Sequence, residues 1–153
     1  MGTPIQDITK ILKNSRSFLV AAHVNPDGDA IGSMAAAGFL LQALGKDVTF
    51  YSPAGMPERY AWLPLPCPVE TRLPEVLPEW ILALDCGSPQ RLGQELFSRL
   101  DPARTLNIDH HGDNPSFGAV NWVDAAEPAV GAMVAQLARE AGVPLTGGLA
   151  EAV

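Results

Sequence analysis

The segment from His23 to Ser33 places one histidine and two aspartates in a turn between two apolar stretches of the chain. Residues 18–22, before it, are all apolar and predict a buried strand, and residues 31–44, after it, have the apolar spacing of a buried helix. A histidine and two carboxylates this close together lose hydration and repel one another unless a positive charge lies between them. The turn therefore predicts a divalent metal site at a strand-to-helix junction.

Short apolar strands alternate with helical patterns along the rest of the chain. The apolar spacing predicts strands at residues 17–22, 48–51, 80–84, 104–108 and 118–123. It predicts helices at residues 4–14, 31–44, 90–100 and 128–142, with another helix opening after Thr146. Seven prolines between Pro53 and Pro78 predict irregular structure there. This alternation is typical of a single α/β domain with a mostly parallel sheet flanked by helices.

Polar clusters follow three of the predicted strands: the turn 23–29, the single Asp85, and Asp109 to His111. Ligands of parallel α/β sheets gather beyond the carboxyl ends of the strands, so we expect these three clusters to meet. Each residue alone has a simpler explanation, because an aspartate such as Asp29 or Asp85 often caps a helix and a histidine pair is often structural. The arrival of all three histidines of the chain at strand ends favours a metal centre.

The donor set indicates which metal would bind. Carboxylates and imidazoles without thiolates suit Mn²⁺, Mg²⁺ or Fe²⁺ better than a structural zinc ion. Two such ions about 3.5–4 Å apart need a bridging carboxylate, and they activate a water molecule for attack on phosphorus. Asp85 stands alone between the other two clusters and is the natural bridge. Gly28 and Gly32 would let a phosphate approach the backbone at the start of the helix.

Composition excludes several other classes of protein. The formal net charge of −7 argues against a broad basic surface for nucleic acid. No apolar run approaches the length of a membrane span, and no secretory pattern is visible at the N-terminus. Cys67 and Cys86 form neither a disulfide framework nor a CxxC metal pattern. We therefore expect a cytoplasmic protein with two reduced thiols.

The motif His-x-Asn-Pro-Asp-Gly-Asp-Ala-Ile-Gly-Ser at 23–33, the strand-end Asp85 and the triplet Asp-His-His at 109–111 resemble the DHH phosphoesterase superfamily. The Pro-Asp-Gly-Asp-Ala form most resembles its nano-RNase (oligoribonuclease) and pAp phosphatase branch. Gly28 and Ala30 differ from what is usual in the inorganic pyrophosphatase branch, which stays open as an alternative. The resemblance covers almost the whole chain.

The resemblance implies two divalent ions, with Mn²⁺ favoured over Mg²⁺ and Fe²⁺. Their ligands would be His23 and Asp27 for one ion and Asp29 and His110 for the other, with Asp85 bridging both.

The resemblance also implies roles at the reacting phosphate. His111 would contact the scissile phosphate, and Asp109 would orient the histidines from behind. Ser33, Arg91 and Asn114 are candidates for contact with substrate.

The implied activity is metal-dependent hydrolysis of short oligoribonucleotides, linear dinucleotides or 3′-phosphoadenosine 5′-phosphate. The family has a fourth motif, an aspartate that completes the second metal site, and then a substrate-gripping C-terminal domain, whereas no aspartate follows Asp124 here. We therefore expect residues 1–153 to be an incomplete N-terminal catalytic domain whose second metal binds weakly and whose isolated activity is weak or absent. A non-catalytic metal- or nucleotide-binding fragment remains the alternative from another class, and a homodimer is left open.

Overall fold

A computed structural model describes residues 2–153, so that only Met1 of the predicted domain lies outside the described residues. Its six strands form one sheet in the order β3-β2-β1-β4-β5-β6, and every neighbouring pair is parallel. The strands are β1 (Ser17–Ala21), β2 (Asp47–Tyr51), β3 (Val69–Glu70), β4 (Trp80–Leu84), β5 (Thr105–Asp109) and β6 (Val120–Val123). The predicted α/β fold with a parallel sheet is confirmed.

Five α-helices and three short 3₁₀ turns connect the strands. The helices are α1 (Pro4–Asn14), α2 (Gly28–Ala43), α3 (Gln94–Arg99), α4 (Val130–Ala141) and α5 (Gly147–Ala152). The 3₁₀ turns lie at Glu58–Tyr60, Pro89–Leu92 and Pro102–Arg104. Within residues 2–153, none of the helices combines the length and the apolar character that crossing a membrane requires.

Alternate side chains of the strands supply two apolar layers, as the two-residue period of a strand requires. On one face, side chains such as Phe18, Val20 and Leu82 pack with the buried residues of α1, α2, α4 and α5. On the other face, Leu19 and Ile81 belong to a smaller cluster that is covered by α3 and the preceding 3₁₀ turn. The sheet is therefore buried on both sides, which explains why its central strands are apolar without alternation.

Helix α2 packs between the sheet and helices α4 and α5, and 11 of its 16 residues are buried. It begins at Gly28, three residues before the apolar pattern predicts, since the Asp27 carboxylate accepts a hydrogen bond from the amide of Ala30 at 3.0 Å and caps the helix. Gly38 lies where a Cβ atom would overlap the ring of Phe50. The absence of a side chain there lets the helix approach β2 closely.

The prediction of one helix over residues 90–100 is wrong. A 3₁₀ turn ends at Leu92 and α3 begins at Gln94, with Gly93 between them at a φ of 95°. Helical residues have a negative φ, so the positive φ of Gly93 interrupts the helix, and glycine adopts this conformation without strain. The apolar period survives the break, because Leu92 and Leu96 are both fully buried.

Candidate metal centre

The sheet order brings the three polar clusters to one edge. Strand β4 lies between β1 and β5, and all three strands run in the same direction. The turn 23–29 leaves the end of β1, Asp85 follows β4 directly, and Asp109 to His111 leave the end of β5. The expected meeting of these clusters is therefore confirmed, with Asp85 in the central position.

One half of the cluster consists of His23, Asp27 and Asp85. His23 Nε2 lies 3.9 Å from Asp27 Oδ1 and 3.7 Å from Asp85 Oδ2. One ligand atom from each of the three lies within 4.8 Å of the others, which is close enough to hold one metal ion. The His23 and Asp85 side chains are buried, whereas that of Asp27 is 62% exposed. This half is open to solvent on the side of Asp27.

The other half surrounds His110. Its Nε2 atom lies 3.4 Å from Asp85 Oδ1 and 3.5 Å from Asp29 Oδ2. His111 Nδ1 is also within 3.8 Å of Asp85 Oδ1, but it lies only 2.7 Å from Asp109 Oδ1, so this nitrogen is already occupied. The two oxygens of Asp85 thus face different halves, which is the geometry that a bridging carboxylate needs.

Asp85 supplies a direct test of whether a cation fits. The residue is 2% exposed, and its Oδ1 atom has no hydrogen-bond partner within residues 2–153. A buried carboxylate oxygen without a donor is costly, and a cation removes that cost. Its backbone also has a φ of 50°, a left-handed conformation that is uncommon for aspartate and typical of functional sites. The donor set around Asp85 therefore fits a divalent ion.

Backbone carbonyls fix which nitrogen of His23 and of His110 faces the cluster. His23 Nδ1 lies 2.9 Å from the carbonyl of Val24, and His110 Nδ1 lies 3.1 Å from the carbonyl of Glu127. Because a carbonyl only accepts hydrogen bonds, each Nδ1 must carry the proton. The Nε2 lone pair of the neutral ring then points at the carboxylates, as a metal ligand requires.

Neighbouring carboxylates and backbone carbonyls hold the pKa values of both histidines above the ordinary value. Asp85 raises the pKa of His23 against the opposing effect of burial, and the charge of Arg91 lowers it slightly. Burial lowers the pKa of His110, but the Glu127 carbonyl and the carboxylates of Asp29 and Asp85 outweigh it, so that the net shift is upward. In the metal-free protein, both rings therefore hold a second proton more readily than a free imidazole does.

Protons and metal ions should therefore compete. We expect Mn²⁺ affinity to fall by about tenfold per pH unit and per site as the pH drops through the raised pKa values of His23 and His110, since each ion displaces one proton. The stability of the metal-free protein should change with pH in the opposite direction. Its stabilisation by the two charged histidines is complete below about pH 6.5 and is lost as the pH rises through those pKa values. Thermal unfolding with and without Mn²⁺ across pH 5.5–8.5 measures both trends. If Mn²⁺ affinity and the stability of the metal-free protein changed with pH in the same direction, protons and metal ions would not compete for these histidines.

A second buried network stands behind His111. Asp109 is fully buried, and its Oδ1 atom accepts a hydrogen bond from His111 Nδ1 at 2.7 Å. Its Oδ2 atom accepts one from Asn114 Nδ2 at 2.6 Å, and the same amide nitrogen lies 2.8 Å from Asn107 Oδ1. Both oxygens of Asp109 are engaged in this network, whereas the His111 ring is partly exposed beside the cluster.

The three candidates for substrate contact lie in different surroundings. Ser33 is fully buried in α2, and its hydroxyl donates to the carbonyl of Ala30, so it does not reach the surface. Asn114 uses its amide nitrogen as described above, and its oxygen accepts a hydrogen bond from the amide of Ser116 at 2.8 Å. Arg91 is exposed, on the 3₁₀ turn rather than on a helix, close enough to influence His23. Of these three side chains, Arg91 is the one that is open to a ligand.

The proline-rich segment contributes a contact that the sequence did not indicate. Arg59 donates a hydrogen bond to the carbonyl of Pro26 at 3.4 Å, and its guanidinium lies 4.8 Å from the ring centre of Tyr60. The Tyr60 hydroxyl lies 3.6 Å from the position of a Cβ atom on Gly28. These residues support the turn that carries Asp27, although nothing in their spacing marks them.

The sequence was compared with profiles of known protein families. The profile of the N-terminal domain of the DHH family matches residues 17–153. The chain belongs to the DHH family. The resemblance inferred from the motifs is thereby confirmed.

Relatives of this DHH chain include the bifunctional oligoribonuclease and PAP phosphatase NrnA of Thermus thermophilus. The two are 37% identical over 138 residues, which cover 88% of this chain and 40% of that protein. The DHH chain thus spans well under half the length of this curated relative.

Solved structures share the fold of the DHH chain. An exopolyphosphatase-related protein from Bacteroides fragilis superposes with a TM-score of 0.77 at 23% identity, covering 91% of this chain and 44% of that one. Exonuclease RecJ bound to manganese superposes with a TM-score of 0.53 at 17% identity, covering 93% and 39%. RecJ of Thermus thermophilus in complex with Mn²⁺ gives 0.54 at 19% identity, covering 92% and 22%. At these identities the likeness shows the fold alone.

Proposed function

We propose that this chain carries the metal centre of a phosphoesterase that hydrolyses short oligoribonucleotides, linear dinucleotides or 3′-phosphoadenosine 5′-phosphate with two divalent ions, Mn²⁺ fitting best. The observation that carries the proposal is the buried carboxylate of Asp85, whose two oxygens face two separate histidine–carboxylate pairs. The activity of the relative NrnA, an oligoribonuclease and PAP phosphatase, supports the choice of substrate.

In this proposal the first ligand set is the group His23, Asp27 and Asp85. The second takes Asp29 in place of His111 from the group Asp85, His110 and His111, because His111 Nδ1 is already bonded to Asp109. His23, Asp27 and Asp85 would hold one ion, and Asp29, His110 and Asp85 would hold the other. When bound, such a pair of ions supplies an activated water and neutralises charge on the phosphate oxygens. Oxygen and imidazole donors in this number suit Mn²⁺, with Mg²⁺ and Fe²⁺ as weaker fits.

His111 is placed to act on the substrate itself. Asp109 accepts the Nδ1 proton of His111 at 2.7 Å, so that the ring keeps one orientation. The partly exposed ring lies beside the cluster, where it could contact a phosphate oxygen of the substrate. Arg91, exposed next to the turn 23–29, is a second group that could attract an anionic substrate.

The substrate assignment is tested by offering the Mn²⁺-loaded protein a linear dinucleotide, 3′-phosphoadenosine 5′-phosphate and inorganic pyrophosphate in parallel. We expect hydrolysis of the dinucleotide or of 3′-phosphoadenosine 5′-phosphate, and no phosphate release from pyrophosphate. Cleavage of pyrophosphate alone would move the assignment to the pyrophosphatase branch. Tight Mn²⁺ binding without turnover of any of the three would favour a binding domain without catalytic activity.

A further inference from the structure

One short segment contacts both ligands that are specific to the second half of the cluster. The amides of Val130 and Gly131 donate hydrogen bonds to Asp29 Oδ2 and Oδ1, at 2.9 and 3.0 Å. Three residues earlier, the carbonyl of Glu127 accepts the Nδ1 proton of His110. All three contacts come from the main chain of residues 127–131, which form the turn into α4.

The 127–131 segment is itself fixed to the sheet and to α4. The amide of Asp124 donates to the carbonyl of Asp109 at the end of β5, at 3.0 Å. Asp124 in turn accepts from the amides of Ala126 and Glu127. From the other side, Gln136 of α4 donates to the side chain of Glu127 at 2.7 Å. The segment therefore spans from the strand that delivers His110 to the helix that contacts Asp29.

The first amides of a helix have no partner within the helix, so their hydrogen bonds to Asp29 satisfy donors that would otherwise stay unpaired. The positive end of the helix dipole also favours a carboxylate at this position. Asp29 accepts one hydrogen bond on each oxygen, which leaves a lone pair on each for a cation. Its Oδ2 atom already faces His110 Nε2 at 3.5 Å.

Within residues 2–153, the Asp27 carboxylate of the first half accepts no hydrogen bond from a distant helix. Asp27 is 62% exposed, and its Oδ1 atom accepts a hydrogen bond only from Ala30 of the helix that it caps. Asp29 is 21% exposed and receives two hydrogen bonds from a helix about 100 residues further along the chain. The two halves therefore differ in how firmly their carboxylates are held.

We propose that the main chain of residues 127–131 is a positioning element for the second metal site, setting the geometry of Asp29 and His110 and hence the affinity of that site. The inference rests on the proposed function, because it takes Asp29 and His110 as metal ligands. Since outer-shell partners of metal ligands contribute about 10- to 100-fold to affinity, losing one of these contacts should be measurable.

Val130→Pro tests this inference with little harm to the helix. Val130 is the first residue of α4, where proline is tolerated, and Ala129 already has the extended backbone that a following proline needs, with φ −160° and ψ 148°. The substitution removes the amide donor and puts a ring carbon against Asp29. Val130→Ala is the matched control, because it trims the buried side chain at the same position and keeps the amide.

Cd²⁺ is a diamagnetic probe, so NMR of the histidine ring nitrogens can follow each half of the cluster separately. In Val130→Pro we expect the Cd²⁺ affinity seen at His110 Nε2 to fall by about 10- to 100-fold. The affinity seen at His23 Nε2 should match that of Val130→Ala and of the unaltered protein. The inference would be overturned if Val130→Pro and Val130→Ala had the same Cd²⁺ affinity at His110, whether both kept the affinity of the unaltered protein or both lost it to the same extent. Either result would leave the proposed function intact. Absence of Cd²⁺ and Mn²⁺ binding in the unaltered protein would overturn both.

Hydrogen exchange keeps the inference testable if Val130→Pro does not fold. The amides of Val130 and Gly131 should exchange slowly in the metal-free protein, and Asp29→Ala should make them fast while the rest of α4 stays protected. Fast exchange of these two amides in the unaltered protein would overturn the inference.

Discussion

Replacing Asp85 with asparagine should abolish binding at both metal sites and reduce hydrolysis to background. Both halves of the cluster share this carboxylate, through Oδ2 to His23 and Oδ1 to His110. Partners outside the ligand shell contribute up to about 100-fold to metal affinity. Losing Asp85, a ligand that both ions would share, should lower the metal affinity by at least as much. The metal-free variant should remain folded, because asparagine has nearly the same shape and the change removes a buried charge whose Oδ1 atom lacks a donor.

Thermal unfolding with and without Mn²⁺ separates binding from folding. An ion that binds only the folded state raises the Tm, so the unaltered protein should gain stability from Mn²⁺ whereas Asp85→Asn should not. Asp47→Asn is the matched control, because it removes one carboxylate from an exposed ion pair with Arg16 on the surface. A Tm increase of the same size in Asp85→Asn and in the control would contradict the bridging role.

Replacing Asp109 with asparagine should reduce turnover and leave Mn²⁺ binding nearly unchanged. The amide nitrogen of Asn114 lies 2.6 Å from Asp109 Oδ2 and requires an oxygen there. The new amide would therefore turn its own nitrogen toward His111 Nδ1, which could no longer donate. The ring would lose the hydrogen bond that holds its orientation, and kcat should fall by about 100-fold or more.

A double substitution shows whether Asp109 acts through His111. If it does, adding Asp109→Asn to a His111→Gln variant should lower the rate far less than Asp109→Asn lowers it in the unaltered protein. The reason is that the effects of residues acting as a unit are not additive. Single-turnover rates at saturating Mn²⁺ give the comparison, and calorimetry gives the affinity for Mn²⁺. A drop in Mn²⁺ affinity that matches the drop in rate would place Asp109 among the groups that support the ligands instead.

The layout of the candidate site can be predicted from the sequence because its histidines and aspartates directly follow apolar strands. The apolar runs before His23, Asp85 and Asp109 predict parallel strands, and parallel strands deliver their next residues to one edge. The same reasoning misses contacts that do not depend on side-chain identity. The amides of Val130 and Gly131 contact Asp29 through groups that every residue but proline possesses.

Other differences from the predictions also have local physical causes. The apolar period over 90–100 is present in the buried leucines, yet the positive φ of Gly93 breaks the helix. Asn114, a candidate for substrate contact by resemblance, directs its amide nitrogen to Asn107 and Asp109, which lie close to it only in the folded chain. Its contact with substrate stays a prediction.

The number of bound Mn²⁺ ions and the coupling between them most directly test the central claim, that Asp85 bridges two metal sites. Two ions that share one carboxylate lie about 3.5–4 Å apart, close enough for their unpaired electrons to couple. Titration of the protein with Mn²⁺, followed by electron paramagnetic resonance, should therefore show a first, tighter ion and then a second, weaker one with the spectrum of a coupled pair. A single ion at saturation, or two ions with uncoupled spectra, would contradict the assignment of Asp85 as the bridge between two metal sites.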